Sequence, residues 1–211
     1  MARDFIVKNL PLAPAPGVPG IRIHTAASAS RLRRLAAGRN PYWAWCWAGG
    51  LALARHILDA PHLVAGAKIL DLGAGSGLVG IAAAKAGAAE ILAVDCDGDA
   101  VAAVEVNAAA NEVDMAALHA DPLQTGVRHA PPVDIVLVGD LFYDADLARR
   151  ALAFLERCAQ TGATVLIGDP GRAFLPEDKL ETIAEYFARD FGASGEGESR
   201  ARVYRLRAPP G

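Results

Sequence analysis

Residues Ile69–Gly77 read Ile-Leu-Asp-Leu-Gly-Ala-Gly-Ser-Gly. A short apolar run ends in three glycines at alternate positions, which is how a buried strand passes into a tight turn. A helix is expected to begin near Gly77, and the free N–H groups at its start favour a carboxylate or a phosphate. Asp71 falls at the strand end, where an acid meets a cationic group. Counted from Gly75, the glycines at 75, 77 and 80 also satisfy the dinucleotide pattern GxGxxG; counted from Gly73 they do not, because position 78 is Leu. The turn therefore specifies a nucleotide-like ligand lying against bare backbone, without choosing which.

The rhythm on either side of this stretch sets the fold class. Strands are expected at 68–72, 90–94, near 116–119, at 134–139 and at 163–168, alternating with helices at 77–86, 98–110, 145–159 and 177–188. Such alternation builds βαβ units and a Rossmann-like α/β fold, a mostly parallel sheet with helices on both faces. The runs IVLVG and TVLIG are almost wholly apolar, as strands buried on both faces must be. Arg202–Arg207 is expected to form a last, antiparallel strand.

Upstream, residues 9–20 are rich in Pro and Gly and read as an extended connection. Ile21–His24 reads as a short strand, and Thr25–Ala37 as a helix stopped by Gly38. Residues 1–40 form a basic arm with seven Lys/Arg against one acid, a local +6. The chain's net charge is −3, so residues 41–211, the expected α/β domain, carry −9. That overall charge makes no case for nucleic acid as a partner. No apolar run reaches membrane-spanning length. The three cysteines (Cys46, Cys96, Cys158) have no CxxC spacing and read as reduced thiols in the cytoplasm. The scattered histidines predict no metal, and the protein is expected to be a monomer.

The chemistry sits at successive strand ends. Asp95 closes the second strand, 18 positions past Gly77, where an acid accepts the ribose hydroxyls of an adenosine. That ribose is common to NAD and S-adenosylmethionine, so Asp95 leaves both open. Asp97 and Asp99 are expected to cap the next helix. Asp121 follows the third strand and suits the adenine amine, or equally a plain Asp-Pro turn. Asp140, Phe142 and Tyr143 crown the fourth strand, outside the carboxyl ends where open α/β sheets hold ligands. All three tryptophans fall within five residues in Asn40–Gly50 (NPYWAWCWAGG).

The combination of PYWAWCWAGG, ILDLGAGSG, AVDCD, GDLFYD and GDPGR resembles the seven-β-strand protein methyltransferases of family 16. Within them it is most similar to the branch acting on lysine of the electron transfer flavoprotein β subunit, in its bacterial form. The likeness spans about residues 5–207. It implies a seven-stranded class I methyltransferase fold with an antiparallel last strand, S-adenosylmethionine as cofactor, and that flavoprotein subunit as the protein partner. It also implies roles: Trp47 and Gly49-Gly50 pack on the cofactor, while Asp71, Gly73, Gly75 and Gly77 form its glycine motif. Asp95 is the ribose acid, and Asp140–Tyr143 match a D-x-x-Y signature beside the target lysine. Some relatives have Pro where this chain has Ala48. Methyl transfer to lysine needs a neutral amine, and an aromatic channel of Trp43, Phe142 and Tyr143 with Asp140 as orienting acceptor would supply the setting. Methylation of a ribosomal protein or a small molecule is the alternative, and an NAD-dependent oxidoreductase a more distant one.

Overall fold

The computed structural model describes residues 2–26, 40–124, 132–189 and 198–207. The expected helix at 25–37 lies almost wholly outside them, as do Arg31, Arg33, Arg34 and Arg39.

Seven strands form one sheet. In chain order these are β3 (Lys68–Leu72), β4 (Glu90–Asp95), β5 (Ala116–His119), β6 (Ile135–Gly139), β7 (Thr164–Asp169), β8 (Leu180–Arg189) and β9 (Glu198–Leu206). Their spatial order is β5-β4-β3-β6-β7-β9-β8. Neighbours from β5 through to β7 pair in parallel, and β9 is antiparallel to both β7 and β8. The last strand is thus the antiparallel one, but it lies inside the sheet, and β8 forms the edge. The helices are α1 (Ala2–Asn9), α2 (Ala48–Asp59), α3 (Leu78–Lys85), α4 (Gly98–Ala110) and α5 (Ala145–Gln160). A small hairpin of β1 (Leu12–Pro14) and β2 (Arg22–His24) precedes α2. β1 falls within the proline-rich stretch, and α1 has no counterpart in the expected elements.

Period-two alternation divides the sheet's side chains between two cores. Ile69, Ile135, Leu137 and Leu166 point to the face packed by α2 and α3. Leu70, Val136, Val138, Val165 and Ile167 point to the face packed by α5. Both faces are buried, so the central strands carry no polar side of their own. α5 meets its core with Ala148, Ala151, Phe154, Leu155 and Cys158, a helical stripe, and starts with the Asp144 carboxylate accepting from Leu147 N–H at 3.0 Å. α4 starts the same way on Asp97, which accepts from Asp99 N–H. Asp99 itself sits in the first turn.

One expectation fails. Residues 177–188 form no helix: Glu177–Lys179 is a single 3₁₀ turn, and Leu180–Arg189 is strand β8. The segment carries Glu177, Glu181, Glu185, Ala184 and Ala188, good helix formers, and only its Leu180 and Ala188 are buried. Pairing with β9 along the whole strand overrides that propensity, and a register shift between Thr182 and Ala184 disguises the strand period.

The N-terminal elements are joined to the domain through α4. Ile6 and Leu10 share a core cluster with Trp43, Ala100 and Ala103. Asn107, fully buried, accepts from His24 N–H at 2.8 Å and donates to the Ser76 carbonyl at 2.9 Å. One side chain thus ties β2 to the glycine turn. Asn111 accepts from Arg22 N–H at 2.9 Å in the same manner.

Candidate active site

At the carboxyl ends of β3 and β6 lies a cavity of about 350 Å³, predominantly apolar and aromatic, within the size range of small-molecule sites. Its walls come from three places: the tryptophan segment, the glycine turn after β3, and the strand-end loops after β6 and β7.

The glycine turn is built as its residues require. Gly73, Gly75 and Gly77 all have left-handed φ, at 66°, 53° and 80°, where a side chain would be strained. Gly77 caps α3, and only Gly73 and Gly75 line the cavity. Asp71 is buried at the cavity wall, its Oδ2 accepting from Gly80 N–H at 2.8 Å. Burial pushes this carboxyl up to about 7, partly offset by the Gly80 bond. Asp95 braces the turn from β4: its Oδ2 accepts from Gly75 N–H and its Oδ1 from Asp97 N–H, both at 2.9 Å. Burial raises its pKa as well.

The tryptophan segment makes the opposite wall. A 3₁₀ turn over Tyr42–Ala44 carries Trp43 into the core, and Trp47 occupies the N-cap position of α2. Trp47 Nε1 donates to the Tyr42 carbonyl at 2.8 Å. The Tyr42 ring stands 5.9 Å from the rings of both Trp47 and Tyr143. Tyr42 and Tyr143 are half exposed, so an aromatic rim surrounds the mouth. Burial raises the Tyr143 hydroxyl's pKa, with Tyr42 adding to the effect. Cys46, also on the wall, is pushed up to about 12 by burial and stays a thiol.

Asp140 is the most constrained residue of the site. Its φ is 54°, in the left-handed region that Asp tolerates better than most residues. Its backbone N–H donates to the Gly168 carbonyl at 3.0 Å. Oδ2 accepts from Gly50 N–H at the start of α2, at 3.0 Å. Oδ1 accepts from both Nη2 and Nε of Arg172, at 2.8 and 3.1 Å. Burial raises this carboxyl to about 6, with the Arg172 guanidinium pulling the other way. α2 reaches Asp140 because it touches β7 backbone to backbone. A Cβ on Gly49 would stand 2.2 Å from the Gly168 carbonyl oxygen, and one on Gly168 2.1 Å from the Gly49 oxygen.

Trp43, Trp47, Asp71, Gly73, Gly75, Asp140 and Tyr143 therefore meet at one cavity. Phe142 does not: it is fully buried in the core against α5, where it serves packing rather than an acceptor channel. Neither Asp95 nor Asp121 lines the cavity, and Asp95 reaches it only by bracing Gly75. For Asp121 the local duty is a turn. Its Oδ1 accepts from Leu123 N–H at 3.0 Å, forming the Asp-Pro turn, and its Oδ2 lies 3.7 Å from Arg150. Arg172, in the GDPGR segment, was not singled out by residue reasoning. The structure puts it on the cavity wall with its guanidinium 5.7 Å over the Trp47 ring. A cation three residues beyond a strand end, after an Asp-Pro-Gly turn, was the available signal. Among the described residues, no group of three His, Cys, Asp or Glu is placed to hold a metal ion, and no helix is long and apolar enough to cross a membrane.

Comparison with known proteins gives this site its family. The electron transfer flavoprotein β subunit lysine methyltransferase of Xenopus laevis is 36% identical over 197 residues, covering 89% of this chain and 79% of that protein. The chain belongs to the electron transfer flavoprotein β subunit lysine methyltransferase family. The rat family member is 40% identical over 156 residues, 70% of this chain and 59% of its own. A family model described as ribosomal protein L11 methyltransferase matches residues 53–141. The Thermus thermophilus 16S rRNA N2 G1207 methyltransferase, solved with AdoMet and guanosine, superposes with a TM-score of 0.54 at 22% identity. It covers 78% of this chain and 44% of its own, a likeness of fold. The family and the sheet topology establish a class I methyltransferase.

Proposed function

We propose that this family member transfers a methyl group from S-adenosylmethionine to lysine side chains of the electron transfer flavoprotein β subunit. The observation that carries the reading is the convergence of the glycine turn, the aromatic mouth and the clamped Asp140 on one cavity, in a chain of this family.

The site fits the cofactor on its own chemistry. Asp71 and Asp140 are carboxyls held up by burial, and a cationic ligand relieves that penalty. Asp95 uses one lone pair of each oxygen on a backbone amide, and a carboxylate retains further sites for ribose hydroxyls. Asp71, Gly73, Gly75, Asp95 and Trp47 would hold the group, which when bound supplies an electrophilic methyl on a sulfonium.

The protein's share is alignment and control of the acceptor's charge. A lysine side chain enters past Tyr42 and Tyr143, whose rings shed water from its aliphatic stem. An in-line displacement needs nucleophile, methyl and leaving atom on one axis, and a rigid wall supplies that alignment. The amine must arrive neutral although its ordinary pKa is near 10.4. A desolvated aromatic mouth favours the neutral form. The Asp140 carboxylate is balanced by Arg172, so it accepts a hydrogen bond from the amine without acting as a bare counter-ion for an ammonium.

The ribosomal protein L11 likeness covers residues 53–141 and stops short of Tyr143 and Arg172. It therefore speaks to the donor half more than to the acceptor. The test incubates the protein with labelled S-adenosylmethionine and either the flavoprotein β subunit or ribosomal protein L11. Label is expected on lysines of the flavoprotein subunit and lost with Asp140→Ala. Label on L11 alone, or transfer indifferent to Asp140→Ala, overturns the assignment.

A further inference from the structure

We infer that Arg172 is the positioning residue of this site: by clamping Asp140 in a two-pronged ion pair against the start of α2, it sets the direction and charge balance of the carboxylate that meets the acceptor amine. The inference rests on the lysine-methyltransferase reading and extends it to a residue outside the D-x-x-Y segment.

The geometry is over-determined around one carboxylate. Both forks of the guanidinium reach the same oxygen of Asp140, at 2.8 and 3.1 Å, while Gly50 N–H holds the other. The guanidinium is itself fixed. Its plane lies by the Trp47 ring, and the Arg172 backbone N–H donates to Asp169 Oδ1 at 2.7 Å. Three elements are thereby locked together: the β6 end through Asp140, the β7 end through Asp169 and Arg172, and α2 through Gly50 and Trp47. A lysine in place of Arg172 would keep the charge but lose the fork and the ring contact.

The electrical consequence follows from what surrounds the carboxyl. The charged groups facing Asp140 are Arg172 and, from β7, Asp169, with the Gly50 amide from α2. Farther round the same cavity stand Asp71, Cys46, Tyr42 and Tyr143. Without Arg172 the remaining neighbours are acidic or neutral. Asp140 would then take up a proton more readily, and any amine it still met would be drawn toward the ammonium form.

The experiment uses the full chain. Arg172→Gln, Arg172→Lys, Asp140→Asn and the Arg172→Gln/Asp140→Asn double variant are compared with the parent. Methyl transfer to the flavoprotein β subunit is followed as kcat and KM from acid to alkaline pH. The Asp140 carboxyl is titrated separately by carbon NMR, identified by its loss in Asp140→Asn; this needs neither cofactor nor acceptor. Arg172→Gln is expected to lower kcat about 10²-fold with KM for the protein acceptor changed far less. Its Asp140 midpoint is expected to rise from about 6 by roughly one unit or more. Arg172→Lys is expected to hold most of the midpoint and recover only part of kcat; it carries the test if Arg172→Gln does not fold. An Asp140 midpoint unmoved in Arg172→Gln overturns the inference. So does Arg172→Gln costing as much in the Asp140→Asn background as in the parent. If the parent fails to methylate the flavoprotein subunit, the acceptor assignment falls, and the carboxyl titration still decides the clamp.

Discussion

Replacing Gly49 with Ala should damage this protein although Ala is the better helix former. In an ordinary helix the exchange gains about 0.5–1 kcal/mol. Here the new Cβ would stand 2.2 Å from the Gly168 carbonyl oxygen and 2.6 Å from Asp140 Oδ2. Ordinary contact needs roughly 1 Å more, and neither neighbour is a free side-chain end: one is β-strand backbone, the other a carboxylate pinned by Arg172. Overpacking of this kind costs about 1–3 kcal/mol. Backing α2 away also breaks the bond from Gly50 N–H to Asp140, and a bond to a charged group contributes about 1.5–3 kcal/mol. After the helix gain the net loss is about 2–5 kcal/mol, a fall of roughly 5–20 °C in Tm for a domain of this size. A shift of that length at Asp140 should also lower kcat about 10²-fold. Gly50→Ala is the internal control. Its Cβ would meet only Val79 Cγ2, at 3.9 Å, and its N–H would survive. That variant should melt at or slightly above the parent temperature. Scanning calorimetry and the methylation assay on the pair decide the matter. A Gly49→Ala protein as stable and active as the parent, or a Gly50→Ala protein equally damaged, refutes the backbone-contact reasoning.

Three further outcomes follow from buried groups. The Asp71 carboxyl titrates near 7 in the folded protein, so its contribution to stability is full below about pH 4, declines as pH rises, and is gone above 7, a span of roughly 4 kcal/mol at most; urea unfolding at pH 5 and pH 8 should show this decline flattened in Asp71→Asn. Phe142→Ala should cost about 3–5 kcal/mol by opening the core, whereas Tyr143→Phe should stay within about 0.5 kcal/mol of the parent yet lose transfer activity; denaturant curves beside kcat separate the two. Asn107→Ala leaves His24 N–H and the Ser76 carbonyl without their partner, at about 1–3 kcal/mol each; amide hydrogen exchange at His24 should accelerate, and an unchanged rate would show that β2 is held by other means.

The central strands were readable because burial on both faces leaves an unbroken apolar run, as in Ile135–Gly139 and Thr164–Gly168. β8 was unreadable for the opposite reason. It is a largely exposed edge whose helix-forming composition is overruled by a partner that lies beyond it in the chain. That Asp71, Gly73 and Gly75 meet at one cavity was legible, since glycines at alternate positions after an apolar run mark the turn. The acceptor half was legible only in part. Asp140 turns the chain through a positive φ, so strand parity no longer says which way Phe142 and Tyr143 point, and one went to the core and the other to the mouth. Arg172 was harder to read: the Asp-Pro-Gly turn before it was a signal, but its contact with Asp140 exists only once β6, β7 and α2 converge. Asp121 shows the converse: an acid at the expected place that lies off the cavity wall and holds a turn and an ion pair.

The insertion of β9 between β7 and β8 has a consequence during synthesis. A ribosome delivers β7 before β8 and β9, so the flank of β7 that carries Gly168 and Asp169 stays an open, apolar edge until residues 198–206 emerge and slot in. An open strand edge invites pairing with other chains. Translation pausing between β7 and β9 should therefore be the interval in which the nascent protein most needs a chaperone, and the wall that holds Arg172 against Asp140 is among the last parts of the molecule to set.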